Sequence, residues 1–317
     1  MSNEYHIPVL RKEAVDALIT TAGGVYVDGT LGGGGHAETV AKKISPGGIL
    51  LGIDADADAI AEAQQRFSST VDLQQFTKSG RLILVHDNVS NIQAILRQQN
   101  IQQIHGLLLD LGVSSFQLDE GSKGFSFRTN DVLDMRMDKR QMLDARTVVN
   151  TYSEQELARI FWSYGEEKFS QRVARALVEH RAEKKIETTG DLAFVVEKKA
   201  GGRFSVKTLA RIFQALRIEV NNELGNLSQT LRDAMEVLAV GGRIVVISYH
   251  SLEDRIVKNF FQEEAADKIL SGHKLVPDVP RVPRLRIITR KPVVATDGER
   301  RENPRSRSAK MRVAERL

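Results

Sequence analysis

Cysteine is absent from this chain of 317 residues, which excludes disulfides, thiolate zinc sites and every mechanism that needs a cysteine nucleophile. Long apolar runs are missing as well. No stretch of about 18 uninterrupted apolar residues offers a membrane span, and the N-terminal residues lack the basic-then-apolar pattern of a secretory signal. A soluble, cytoplasmic protein is expected. The seven histidines (His6, His36, His86, His105, His180, His250 and His273) never fall in an H-x-x-x-H or H-E-x-x-H spacing, so no protein-bound metal is expected. Internal repeats and low-complexity segments are also lacking.

What is present is ordinary globular composition, with 41% apolar and 27% charged residues. The net charge of +4 hides an asymmetry: residues 281–317 hold twelve Lys/Arg against four Asp/Glu, leaving the other 280 residues at −4. Such a basic tail suits contact with a polyanion, although a charge run is also a common solvated end.

Strand-like and helix-like segments alternate through the first third of the chain. The strands are predicted at 24–28, 49–54, 81–86 and 105–110, with crossover helices at 58–67 and 91–99. This βαβ pattern implies a mostly parallel sheet covered on both faces. From about Phe116 to Ala210 helical periodicity replaces it. Leu157, Ile160, Phe161 and Tyr164 form one apolar face and Leu209, Ile212, Phe213, Leu216 and Val220 another, both read as core. Strand character returns at 242–248, and 285–289 and 309–313 are candidate closing strands. Ser251 and Asp254 between them resemble a capping box.

The most informative segment is Asp28-Gly-Thr-Leu-Gly-Gly-Gly-Gly-His36, placed between the first strand and a helix. Glycine without a Cβ lets a ligand approach backbone N–H groups at a helix start. The run fits G-x-G-x-x-A from Gly32 to Ala37, which admits a dinucleotide. The acids favour another ligand. Asp54 ends the second strand, where a carboxylate can accept both ribose hydroxyls of a nucleoside cofactor, or alternatively cap the next helix. Asp28 beside the loop would repel a pyrophosphate and attract the cationic end of S-adenosylmethionine. Asp110, with Ser114 and Ser115 behind it, and Ser248-Tyr249-His250 reach the same carboxyl edge of the sheet.

Taken together, these segments resemble the bacterial ribosomal RNA small subunit methyltransferase H family, nearly end to end. The strings that carry the resemblance are His6–Leu10, Asp28–His36, Leu108–Ser115, Gly124–Phe127, Leu133–Asp138, Tyr164–Phe169, Phe213–Arg217, Ser248–Val257 and Asn303–Ser308. The resemblance implies a Rossmann-like class I S-adenosylmethionine-dependent methyltransferase sheet with an inserted all-helical domain. Residues 1–115 and 211–317 would form the methyltransferase domain, and 116–210 the RNA-recognising insertion.

By the same resemblance Gly34, Gly35 and His36 contact the methionine part of S-adenosylmethionine, Asp54 its ribose, and Val89, Asp110 and Gln117 complete the pocket. Val89 stands where the family is commonly aromatic, and Phe116 where proline is frequent. The implied reaction is methylation of the N4 amine of a cytidine in the decoding region of 16S ribosomal RNA. Asp110 is the candidate to orient that amine, and His250 a second candidate for relaying its proton. Lack of cysteine agrees, because methylation at pyrimidine C5 normally needs a thiolate.

The small ribosomal subunit is the expected partner, with no membrane or DNA partner. Arg172, Arg175, His180, Arg181, Lys184 and Lys185 supply charge for RNA, and Phe125, Phe127 and Arg128 supply stacking surfaces. Two other readings stay open. One is a nicotinamide-dependent oxidoreductase on the glycine pattern. The other is a non-catalytic RNA-binding assembly factor, since the Pro-Pro-Tyr loop usual in amino methyltransferases is missing.

Overall fold

The computed structural model describes residues 8–44, 46–112, 123–199, 206–269, 272 and 277–317. The chain divides into a sheet unit, Met1–Gly112 with Gly225–Leu317, and a helical unit, Val113–Leu224.

The strands of the sheet unit's main sheet are β1 (Val25–Asp28), β2 (Ile49–Asp54), β3 (Leu82–His86), β4 (Ile104–Asp110), β5 (Leu238–Ser248), β6 (Leu285–Ile287) and β7 (Lys310–Arg316). They form one sheet in the order β3-β2-β1-β4-β5-β7-β6, in which β7 runs antiparallel to both of its neighbours and the other pairs are parallel. The helices that precede β4 are α1 (Arg11–Leu18), α2 (Gly35–Lys43), α3 (Ala57–Phe67), α4 (Val71–Lys78) and α5 (Ile92–Gln98).

Burial on both faces explains the near-continuous apolar strands. Side chains alternate between two cores. Tyr26, Leu50, Leu108, Val245 and Ile247 pack with Val15, Val40 and Phe67, while Val27, Leu51, Leu107, Leu109, Ile244 and Val246 pack with Ile92, Ile95 and Leu96. Periodicity located the strands to within a few residues but missed α1 and α4, which are short and carry few apolar positions.

The helical unit contains α6 (Ala145–Thr151), α7 (Glu154–Ser163), α8 (Ser170–Glu183), α9 (Thr189–Phe194) and α10 (Val206–Asn221). No strand lies among its described residues; an isolated bridge joins Val132 and Thr188. Both predicted apolar faces are core: Leu157, Ile160 and Phe161 of α7 pack with Leu209, Ile212, Phe213, Leu216 and Val220 of α10. Because α10 spends its stripe here, the helical unit extends past residue 210, where the sequence reading had returned the chain to the sheet.

The remaining helices are α11 (Glu223–Val237), α12 (Ser251–Glu264) and α13 (Asp297–Glu302). From Leu227 onward α11 buries Leu227, Leu231 and Met235 in the sheet unit, beside Val257 and Phe261 of α12.

Candidate active site

The glycine turn joins the carboxyl end of β1 to α2 and is held by its own backbone. Gly29 N donates to Leu108 O at 2.9 Å, Leu31 N to Ile53 O at 3.0 Å and Gly34 N to Leu31 O at 2.9 Å. Gly34 precedes α2 at φ 76°, a left-handed conformation that a side chain would strain, and Gly35 opens the helix. Val89, in the turn after β3, stands over this segment. A Cβ on Gly29 would lie 2.6 Å from its Cγ2, so the valine occupies the space beside the turn.

Three carboxylates gather along this edge, each ending a strand. Asp54 accepts Gly32 N at 2.8 Å through Oδ2 and Asp56 N at 2.9 Å through Oδ1, so the acid fixes the turn's shape as well as marking the end of β2. Asp56, not Asp54, caps α3. Asp28 is 2% exposed, and its Oδ2 has no hydrogen-bond partner. Burial, aggravated by the neighbouring Asp110, raises its pKa to about 7. Burial likewise raises Asp110 to about 7, against the lowering effect of a 2.7 Å hydrogen bond that Tyr249 Oη donates to Oδ1. The same burial and the Asp110 charge push the Tyr249 phenol upward, so it remains a donor.

His36 lies in the first turn of α2, 5% exposed, with Nε2 3.1 Å from Val9 O and Nδ1 3.6 Å from Asp110 Oδ2. A carbonyl accepts only, so Nε2 carries the proton and Nδ1 faces the acid. The imidazole therefore lies beside Asp110 on one side, while the Tyr249 hydroxyl bonds it on the other. Tyr249 was visible in the sequence only as part of a string at the right sheet edge; its pairing with Asp110 depends on the β4–β5 register, in which Asp110 stands opposite Ile247.

His250 is placed differently from the sequence expectation. It is the N-cap of α12, where its Nδ1 accepts Glu253 N at 3.5 Å and its Nε2 lies 3.1 Å from Glu253 Oε1. Both ring nitrogens are turned to Glu253, whose Oε2 in turn accepts Tyr249 N at 2.9 Å. The capping box therefore consists of His250 and Glu253, one residue earlier than the Ser251–Asp254 pair read from the sequence. Gln117, Ser114, Ser115 and Phe116 lie outside the described residues.

Several groups expected to meet RNA are used internally. In the helical unit His180 is 7% exposed, with its ring centroid 6.3 Å from that of Phe194, and Arg181 donates to Val149 O at 2.8 Å. Phe125 is buried, and Phe127 stacks edge-on against Phe213 at 5.3 Å. Arg172, Arg175, Lys184 and Lys185 remain exposed, with Lys184 bonded to Asp191 at 2.9 Å. The basic C-terminal stretch is largely structural: Arg312 pairs with Asp254 at 2.6 Å, Arg281 with Glu264 at 2.8 Å and Arg284 with Glu236 at 2.7 Å, while Arg286 bonds Glu315.

A sheet of this order, with a glycine turn after β1 and carboxylates ending β1, β2 and β4, defines a nucleoside-binding α/β enzyme of the class I methyltransferase type. The model of the MraW methylase family matches residues 3–317, and the chain belongs to that family. It is 48% identical to the ribosomal RNA small subunit methyltransferase H of Dehalococcoides mccartyi, over 100% of this chain and 88% of the relative. The protein of the same name from Clostridioides difficile is 44% identical, over 99% of each chain. A solved rRNA methylase from Streptococcus thermophilus aligns over 97% of this chain and 93% of its own, at 10% identity and a TM-score of 0.42.

Proposed function

We propose that this protein transfers the methyl group of S-adenosylmethionine to the N4 amine of a cytidine in the decoding region of 16S ribosomal RNA. It acts in the cytoplasm on the small ribosomal subunit. Membership of a methylase family displaces the nicotinamide-dependent reading, and the names of the full-length relatives support the RNA substrate.

The observation that carries the cofactor assignment is the buried acid pair. Asp28 keeps an unpartnered buried oxygen, and burial makes Asp28 and Asp110 hold their protons up to about pH 7. A ligand with a positive centre fits that arrangement, since it stabilises the charged form that burial disfavours. When bound, S-adenosylmethionine supplies an electrophilic methyl group on a positively charged sulfur.

The chain's own groups do the rest. Gly34, Gly35 and His36 shape the turn against the amino-acid end, Asp54 accepts from the ribose, and Val89 gives the adenine an apolar contact. Asp110 accepts an N–H of the cytosine amine, which aims the nitrogen lone pair at the methyl carbon. As the N–C bond forms and the C–S bond breaks, its carboxyl takes the proton that the amine releases. Tyr249 positions Asp110 through its hydrogen bond, and His36 packs beside it. His250 positions Tyr249 through Glu253 in this reading, rather than relaying a proton.

The test is incubation of the protein with labelled donor and undermethylated small subunits, followed by nuclease digestion and mass spectrometry. Label in N4-methylcytidine is expected. Binding of the subunits with no label in RNA would instead favour a non-catalytic assembly factor.

A further inference from the structure

We propose that a groove on the helical unit, between α7 and the start of α8, is a docking surface for unpaired RNA. Trp162 and Phe169 are its base-stacking platforms, and Lys168, Arg172 and Arg175 its phosphate contacts. The inference rests on the methyltransferase reading for its partner, but its chemistry is read from the surface itself. The depression has a volume of about 1080 Å³ and is lined by Arg159, Lys168, Arg172 and Arg175 and by one acid, Glu154; Arg175 lies 3.6 Å from Glu154 and Arg159 3.6 Å from Glu219, so the lining stays net basic.

Two large rings stand in this basic setting. Trp162, the chain's one tryptophan, is 61% exposed, and Phe169 is 54% exposed. Trp162 lies on the face of α7 opposite the buried Leu157, Ile160 and Phe161, so the fold had an apolar core available and left the tryptophan out of it. Leaving such area in water costs stability that folding does not recover.

The loop that presents Phe169 is built rigidly. Glu167 is 1% exposed; its Oε1 accepts Phe169 N at 3.0 Å, and its Oε2 lies 3.4 Å from Arg211 Nη1. Glu166 is left-handed at φ 50°, and a Cβ on Gly165 would lie 2.7 Å from Arg211 O and 2.8 Å from Phe161 O. A buried carboxylate, a strained residue and an obligatory glycine are unfavourable features for a plain helix connection. Here they hold a phenylalanine outward. This also accounts for the Tyr164–Phe169 string, which the sheet unit's chemistry does not use.

Flat apolar faces among cations match a polyanion with exposed bases, that is, single-stranded RNA. A protein partner fits less well, because the centres of protein interfaces are depleted of charge. A duplex fits less well again, since its bases are already stacked.

The experiment uses the full chain and a fluorescein-labelled single-stranded RNA of about 12 nucleotides, with the matching duplex as comparison. The single strand is expected to bind more tightly. Trp162→Ala and Phe169→Ala should each weaken it about tenfold, and Trp162→Phe should restore most of the loss. Lys168→Ala and Arg172→Ala should each lower the slope of log affinity against log salt by about 0.7. Affinity for S-adenosylmethionine, measured by calorimetry, should be the same in all variants, and because both rings are exposed the variants should melt like the parent.

Wild-type affinity for the single strand, together with wild-type KM for undermethylated subunits, in the Trp162→Ala/Phe169→Ala double variant would overturn the proposal. So would equal affinity for the duplex, or loss of binding to isolated small-subunit proteins while RNA binding is unchanged. Should the wild type transfer no methyl group while the ring variants still lose RNA, the methyltransferase reading falls and this surface stands.

Discussion

Asp28 and Asp110 place the pH response of the site near neutrality. Each carboxyl is raised to about 7, chiefly by burial, so below that pH both are mostly neutral and offer little to a cation. Affinity for S-adenosylmethionine should therefore rise as the pH increases from about 6 to about 8, with protons released on binding. Tyr249 donates to the charged form of Asp110, so Tyr249→Phe removes a stabiliser of the carboxylate and raises its pKa further. With a charged-group hydrogen bond worth about 1.5–3 kcal/mol, the midpoint should move up by roughly one to two pH units. Calorimetric titrations across pH for both proteins check this, and coincident profiles would contradict it. The residue types were legible in the sequence, since an acid ends each strand. That Tyr249 and His36 meet one of those acids was not, because the three come from the residue after β5, from α2 and from the end of β4.

In the proposed function the turn between β1 and α2 is the element that receives the methyl donor. Four glycines occur in a row, yet only Gly32 and Gly34 adopt positive φ. Alanine at Gly34 would meet Ala63 Cβ at 3.3 Å in addition to the left-handed strain of about 1–2 kcal/mol. Gly34→Ala is expected to destabilise the protein by at least that amount and to weaken the methyl donor. Denaturant unfolding and calorimetry measure the two effects, and an unchanged affinity would detach the turn from the cofactor. Strand positions were readable because burial on both faces leaves uninterrupted apolar runs. Caps were harder: His250 took the α12 N-cap from Ser251 because its ring nitrogen reaches the N3 backbone as a hydroxyl would, and no propensity favours histidine there.

On the scale of the whole molecule, the C-terminal strand closes the sheet rather than trailing from it. β7 lies between β5 and β6, with Met311, Val313 and Ala314 buried and Arg312 paired to Asp254. Truncation before Lys310 should strip β5 and β6 of their shared partner and abolish cooperative unfolding of the sheet unit. Circular dichroism melting of the truncated chain tests this, and a transition like that of the full chain would contradict it. The charge count of the tail pointed to a polyanion. Its carboxylate partners, Glu236, Asp254, Glu264 and Glu315, are dispersed in sequence and meet it only after folding.

By itself the sequence determined the alternation of strands and helices, the glycine turn and the acids that end β1, β2 and β4, because strand period, glycine geometry and strand-end position are local properties of the chain. Tertiary structure alone decided which histidine lies beside the acids, which basic residues are consumed in ion pairs and which aromatic rings remain in water. Those outcomes depend on register and on the faces that neighbouring elements cover, and both are set by contacts between residues far apart along the chain.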